Sequence, residues 1–162
     1  MAEPRRVKLG RYEVIGDLAV GGMAEILLAR LVGPSGFERL VVIKRIFPHL
    51  AKDPDFVAMF LDEARTVARI HHPNVVQVHE LAEESAGDLF LAMEYLEGES
   101  ASGLLRRLWS RQELLDPMLA AHIVAEACRG LGAAHDLCDD DGIPLDIVHR
   151  DVSPQNLFIT YA

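Results

Sequence analysis

Three groups of residues in this chain could do chemistry, and in each the spacing matters. The first is His149-Arg-Asp-Val-Ser-Pro-Gln-Asn156, which sets a carboxylate and a carboxamide five residues apart on one polar segment. An aspartate there can accept a proton from a hydroxyl, and an asparagine oxygen can hold a hard metal ion. The second is Val41-Val-Ile-Lys44, followed by Glu63. A lysine ending an apolar strand needs a partner, because an isolated buried ammonium is costly. Glu63 falls on the helix face shared with Phe56, Phe60 and Val67, so it can turn inward. In an arbitrary protein such a pair reads first as a structural ion pair. The third is Leu18-Ala-Val-Gly-Gly-Met-Ala-Glu-Ile26, whose small residues would let backbone N–H groups approach phosphate closely. Alone, a Gly-Gly turn is more often only a turn.

The elements that must position these residues follow from pattern. Arg11–Ile15 alternates and predicts a strand; Glu25–Arg30 predicts a second after the turn Val20–Met23. Gly33-Pro-Ser-Gly36 is strong turn chemistry, and Leu40–Ile46 is a β-branched run ending in basic residues. An antiparallel meander is expected. Asp53-Pro54-Asp55 then opens a helix, with Asp as N-cap and Pro at the first helical position. Phe56, Met59, Phe60, Ala64, Val67 and Ala68 recur at helical spacing up to Ile70, and His72-Pro73 stops the run. Val75–His79 and Leu89–Met93 predict two more strands around a polar turn at 83–88, and Gly98 marks a hinge-like break. Helices are expected over Ser102–Arg111 and Pro117–Leu137, the second opened by Asp116. Gly130 and Gly132 each weaken that helix by about 1 kcal/mol relative to Ala, which points to close packing there. Asp139–Gly142 reads as a loop and Leu157–Thr160 as a short strand.

Composition bounds the rest. The chain has 162 residues, half of them hydrophobic and a quarter charged, as in soluble globular proteins. Its net charge of −9 makes it a poor general binder of nucleic acid or of an anionic membrane. No apolar stretch approaches the ~20 residues of a membrane span. Met1–Gly10 has charges but no apolar core behind them, unlike a secretory signal. Cys128 and Cys138 are the only cysteines, which implies no disulfide framework and fits a cytoplasmic setting. The first 50 residues carry eight Lys/Arg against five Asp/Glu, while the remainder carries eight against twenty. The basic part suits an anionic small ligand such as a nucleotide. The histidines show no metal-ligand grouping, and Cys128 with His135 and Cys138 reads better as packing. Asp139–Asp141 lacks calcium-loop spacing, and Arg106, Arg107 and Arg111 read as a solvated face.

With these segments in this order, the chain resembles a protein kinase catalytic domain of the bacterial serine/threonine type, from about Arg11 to Thr160. The marks are Val41-Val-Ile-Lys44, Phe60-Leu-Asp-Glu-Ala-Arg65, His72-Pro-Asn-Val-Val76, Met93-Glu-Tyr-Leu-Glu-Gly98 and His149-Arg-Asp151. The resemblance implies an α+β, protein-kinase-like fold. Residues 1–10 would be a lead, 11–97 the β-rich small lobe with one helix and the hinge, and 98–162 a helical large lobe stopping just after the catalytic loop. It implies ATP and Mg2+ as cofactors and a protein Ser or Thr hydroxyl as acceptor, with no nucleic acid and no membrane as partner. Lys44 would hold the α- and β-phosphates, with Glu63 fixing its ammonium. Gly21 and Gly22 would belong to the phosphate-covering turn. Leu18, Ile26 and Val42 would line the adenine, with Phe158 on the other side. Met93 would be the gatekeeper; the backbone of Glu94 and Leu96 would meet the adenine edge, and Ser100 the ribose. Asp151 would orient the substrate hydroxyl and take its proton, Asn156 would hold magnesium, and His149 and Arg150 would organise the loop.

Four departures accompany this resemblance. Ala19 and Ala24 stand where the family's first and third glycines usually stand, and Ala resists positive φ, so a stiffer loop is expected. Val42 replaces the usual Ala, and Ser153 stands where serine/threonine kinases carry Lys. No Asp-Phe-Gly occurs within the 162 residues, so the carboxylate that holds magnesium across the phosphates is not among them. Two readings follow. One is an ATP-dependent protein kinase; the other is a kinase-like nucleotide-binding or protein-interaction module without catalysis. A dinucleotide-binding enzyme fits worse, because the glycine turn joins two strands instead of opening a helix. Leu119, Ile123, Val124, Ala127 and Leu131 share one broad face of the last helix. Without later helices that face is expected to stay wet and to drive self-association.

Overall fold

The computed structural model describes residues 7–84 and 89–161. The chain divides into two compact units, one of Met1–Ala68 with Val76–Tyr95, the other of Arg69–Val75 with Leu96–Ala162. In the first unit the strands are β1 (Lys8–Leu9), β2 (Tyr12–Val20), β3 (Ala24–Val32) and β4 (Glu38–Ile46); α1 (Pro54–Ala68) follows, then β5 (Val78–Glu83) and β6 (Leu89–Glu94). They form one antiparallel sheet in the order β1-β2-β3-β4-β6-β5. The expected meander is β2-β3-β4, and the Gly33–Gly36 turn closes its second hairpin with Ser35 and Gly36 both at positive φ.

Alternation along the strands sorts side chains to two faces. Val41 and Ile43 on β4 and Phe90 and Ala92 on β6 point one way, into a core with Leu9, Tyr12, Leu27 and Ala29. Ile46, Leu89 and Leu91 point the other way and meet Phe60 and Ala64 of α1. Each such side chain, taken fully out of water, contributes about 1.5–3 kcal/mol. Helix α1 starts where the Asp-Pro pair places it, with Asp53 Oδ1 accepting from the N–H of Asp55 at 3.0 Å and of Phe56 at 3.4 Å. Of the residues expected on its inner face, Met59 is exposed, because it lies beyond the stripe that Phe60 and Ala64 bury.

Three expectations shift. The lead 1–10 contains β1, and Leu9 is a core residue; a two-residue strand is too short to show periodicity. The strand expected at Val75–His79 begins at Val78 instead. The N–H of Val75 is bonded to the His72 carbonyl at 3.0 Å, and that of Gln77 to the Glu94 carboxylate at 2.7 Å, so the ladder cannot start earlier. The turn expected at 83–88 lies mostly outside the described residues, as 85–88 are not among them.

The second unit contains β7 (Gly98–Ser100), α2 (Ala101–Ser110), α3 (Pro117–His135) and β8 (Phe158–Thr160), with β7 and β8 paired antiparallel. Helix α2 begins one residue before its expected start, because Ser100 Oγ caps it by accepting from Gly103 N–H at 3.2 Å. Asp116 caps α3 as expected, accepting from Met118 and Leu119 N–H. Gly98, where a hinge-like break is expected, opens β7 at a point of close approach: a Cβ there would lie 2.0 Å from the Ile159 carbonyl oxygen across the β7–β8 pair. The two helix glycines also part company. A Cβ at 130 would lie 2.7 Å from the Asn74 carbonyl oxygen, whereas a Cβ at 132 meets nothing within 4 Å.

The contrast gives a paired prediction. Gly132→Ala is expected to stabilise the chain by up to about 1 kcal/mol through helix propensity alone. Gly130→Ala should lower stability, because segment 69–75 must move off α3. Denaturant titration of both variants checks this, and equal effects at the two positions would refute it.

Candidate functional site

The Lys44–Glu63 pair is formed. Lys44 Nζ donates to Glu63 Oε1 at 2.9 Å, and the same ammonium lies 5.7 Å from the centre of the Phe60 ring. Three features make this contact. On β4, Val41 and Ile43 are buried in the first core, so Lys44 and Val42 point to the α1 face. On α1, Phe60 and Glu63 are three residues apart and share that face. The core formed by Ile46, Phe60, Ala64, Leu89 and Leu91 holds the helix there. The Lys44 side chain is 29% exposed and that of Glu63 52%, so the pair is only partly removed from water.

Four of the residues expected around a base and its phosphates, Ile26, Val42, Lys44 and Met93, fall on the same sheet face. Register places Ile26 opposite Lys44, Leu28 opposite Val42, and Met93 opposite Val42 on the other side. Leu18 sits at a register irregularity between Asp17 and Ala19 and is exposed. Gly21 and Gly22 form the turn to β3, closed by Gly21 N–H donating to the Ala24 carbonyl at 2.9 Å. Ala19 and Ala24, from which a stiffer loop is expected, flank this turn. Both lie in strands, and no residue from Leu18 to Ile26 has positive φ. Glu94 ends β6, where its carboxylate is held by Gln77 N–H. Leu96 follows in the second unit, half-buried.

In the second unit the polar loop is tied to itself. Asn156 Nδ2 donates to Asp151 Oδ2 at 2.8 Å and to the Asp151 carbonyl at 3.0 Å. Asp151 N–H donates to His149 Nδ1 at 3.3 Å, and Asn156 N–H to the Ser153 carbonyl at 2.9 Å. Arg150, between His149 and Asp151, has φ 63, a left-handed conformation costing about 1–2 kcal/mol for a residue with a Cβ. Strain of this kind persists only where neighbours over-determine it, and it clusters at working sites. Because both Asn156 bonds use its amide nitrogen, the Oδ1 oxygen keeps its acceptor capacity. A carboxamide oxygen beside a carboxylate suits magnesium, which takes few protein ligands and fills its octahedron with water and phosphate oxygens. Ser100 is already engaged as the α2 cap and also lies 3.0 Å from Ser102 Oγ, while Phe158 faces it in the β7–β8 register and is exposed. Sequence reasoning named each of these residues but missed the Arg150 backbone, for which residue types carry no signal.

Comparison with known proteins places this geometry. The protein kinase domain family matches residues 12–162. The chain is 48% identical over 152 residues to the tyrosine-protein kinase MasK of Myxococcus xanthus, an alignment covering 94% of this chain and 23% of that protein. It is 37% identical over 153 residues to the serine/threonine-protein kinase PknB of Mycobacterium leprae, covering 93% of this chain and 22% of the relative. The fold matches the crystal structure of the Mycobacterium tuberculosis PknI kinase domain with a TM-score of 0.70 at 29% identity, over 99% of this chain and 60% of that one. The chain thus spans about a fifth of the curated relatives' length.

The exposure of the Lys44–Glu63 pair decides what it is worth to the fold. Pairs this wet typically contribute about 0.2–1 kcal/mol. Glu63→Gln is therefore expected to cost no more than about 1 kcal/mol in urea unfolding. A loss of several kcal/mol would make the pair a structural bridge and not a site held in readiness.

Proposed function

This chain belongs to the protein kinase family, and from that membership we propose that it is the ATP-handling part of a kinase that transfers the γ-phosphate of ATP to a protein hydroxyl. The observation that carries the reading is the formed Lys44–Glu63 contact, in a chain that also holds Asp151 and Asn156 bonded to each other. In this reading Lys44 binds the α- and β-phosphates and Glu63 keeps its ammonium aimed. Leu18, Ile26, Val42 and Met93 line the base from the sheet, with Phe158 supplied by β8. The backbone of Glu94 and Leu96 reads the adenine edge. Gly21 and Gly22 cover the phosphates, and Ser100, though it caps α2, contacts the ribose. Asp151 orients the acceptor hydroxyl and receives its proton. Asn156 holds Mg2+, whose charge neutralises the phosphate oxygens when it is bound. Catalysis of this kind is positioning plus electrostatics, which explains why the residues are arranged before any ligand arrives.

The acceptor is a serine or threonine hydroxyl in the first reading, supported by the similarity to PknB. A tyrosine phenol is the second, supported by the higher identity to a relative named as a tyrosine kinase. A kinase-like module that binds nucleotide without transfer is the alternative for this stretch by itself. No helix among the described residues is long and apolar enough to cross a membrane. A cytoplasmic setting is part of the proposal, as is self-association through the α3 face of Leu119, Ile123, Val124, Ala127 and Leu131, of which Leu119 and Val124 are exposed and the other three half-buried.

A ligand that binds only the folded state at 100 times its Kd stabilises it by about 2.7 kcal/mol. Magnesium-ATP is therefore expected to raise the melting temperature of the chain by several degrees, and Lys44→Met to abolish the rise. Equal protection of the two proteins would remove the proposed binding mode. Incubating the protein with labelled ATP and peptides bearing Ser, Thr or Tyr then separates the two acceptor readings, and no transfer at all with protection intact leaves the binding module.

A further inference from the structure

The sheet of the first unit is fastened across its width. In the strand order β1-β2-β3-β4-β6-β5, four inter-strand steps separate β2 from β5. In a flat sheet this would be about 19 Å, farther than a tyrosine and a glutamate can span together. Yet Tyr12 Oη on β2 donates to Glu80 Oε2 on β5 at 2.5 Å. The same oxygen accepts from Arg11 Nη2 at 2.8 Å and Arg11 Nε at 3.1 Å. The sheet is curled, and this clasp bridges the curl. The Tyr12 ring is 2% exposed and meets Phe90 edge-on, with centroids 6.0 Å apart. Burial first, and the Glu80 bond second, push the Tyr12 phenol above its ordinary value, so it stays a donor at neutral pH. A second close approach lies beside it: a Cβ on Gly10, at φ +54, would be 3.1 Å from Glu84 Oε1.

Glu80 reaches Tyr12 only because β5 is irregular. Val78 pairs with Met93 and Glu80 with Ala92, leaving His79 as an extra residue between them. Strict alternation would put Val78 and Glu80 on the same face. The extra residue re-aims Glu80 to the face of Tyr12, Ala82 and Ala92, while Val78 and Leu81 both keep to the α1 face. One strand thus holds the clasp on one side and the seat of α1 on the other, where Val78 and Leu81 join Phe60 and Ala64.

We propose that Glu80, held by Tyr12 and Arg11, is a positioning residue for the Lys44–Glu63 pair: it fixes β5, β5 seats α1, and α1 presents Glu63 to Lys44. The inference rests on the reading of Lys44 as the phosphate-binding lysine. It gives the edge strand a task that a merely stabilising contact would not have.

The test is a double-mutant cycle on the 162-residue chain, with Tyr12→Phe and Glu63→Gln singly and together, each titrated with magnesium-ATP. Tyr12→Phe keeps the ring and removes only the donor. Positioning predicts that it weakens nucleotide binding by about fivefold or more when Glu63 is present and by less than about twofold in the Glu63→Gln background. Equal effects in both backgrounds, or a lowered melting temperature with unchanged affinity, overturn the proposal. Arg11→Gln, at an exposed position, should act in the same direction and serves if Tyr12→Phe fails to fold. A second readout does not use ATP: the rate at which an amine-reactive ester acylates Lys44, followed by peptide mapping. Should Glu63→Gln leave ATP affinity unchanged, the functional reading falls. The labelling still decides the clasp, since faster Lys44 acylation in Tyr12→Phe supports it and an unchanged rate overturns it.

Discussion

An ammonium at the end of β4 has to find a carboxylate, and the geometry of the first unit is arranged around that need. Val41 and Ile43 are drawn into one core, so alternation forces Lys44 to the opposite face, where Glu63 of α1 meets it at 2.9 Å. If α1 slid by one residue, Phe60 and Ala64 would leave their core and Glu63 would rotate away from Lys44. The apolar packing supplies the energy and the ion pair supplies little, because both partners are partly wet. The pair is therefore a read-out of the packing and not its cause.

Much of this was legible in the residues. The β-branched run, the Asp-Pro helix starts at 53 and 116 and the Asp151–Asn156 spacing are local signals, and local signals survive without knowledge of the fold. The protein-kinase-like fold follows from their order, and comparison with solved structures agrees. What escaped was non-local. Leu9 joins the core through a strand of two residues. The start of β5 is set by backbone bonds from Gln77 to a carboxylate on the next strand. The role of Gly98 depends on a carbonyl sixty residues later in the chain, which no window of sequence contains.

The second unit shows the same division between local and distant causes. Asp151 and Asn156 are close in sequence and bonded to each other, so their spacing was informative. The left-handed Arg150 backbone between His149 and Asp151 was not, since arginine has no preference for that conformation. That strain turns the chain sharply enough for the Asp151 amide to meet the imidazole two residues back. Elsewhere in this unit, the caps at Ser100 and Asp116 and the close approach of Gly130 to Asn74 are ordinary packing devices.

The unpaired residue in β5 has an evolutionary consequence. His79 has no partner across the ladder, and no pairing of its neighbours depends on it. Deleting it would make Val78 and Glu80 consecutive, and alternation would still place them on opposite faces, opposite Met93 and Ala92 as now. Relatives should therefore tolerate loss of this position, but not a regular ladder that absorbs it, which would turn the carboxylate toward the helix.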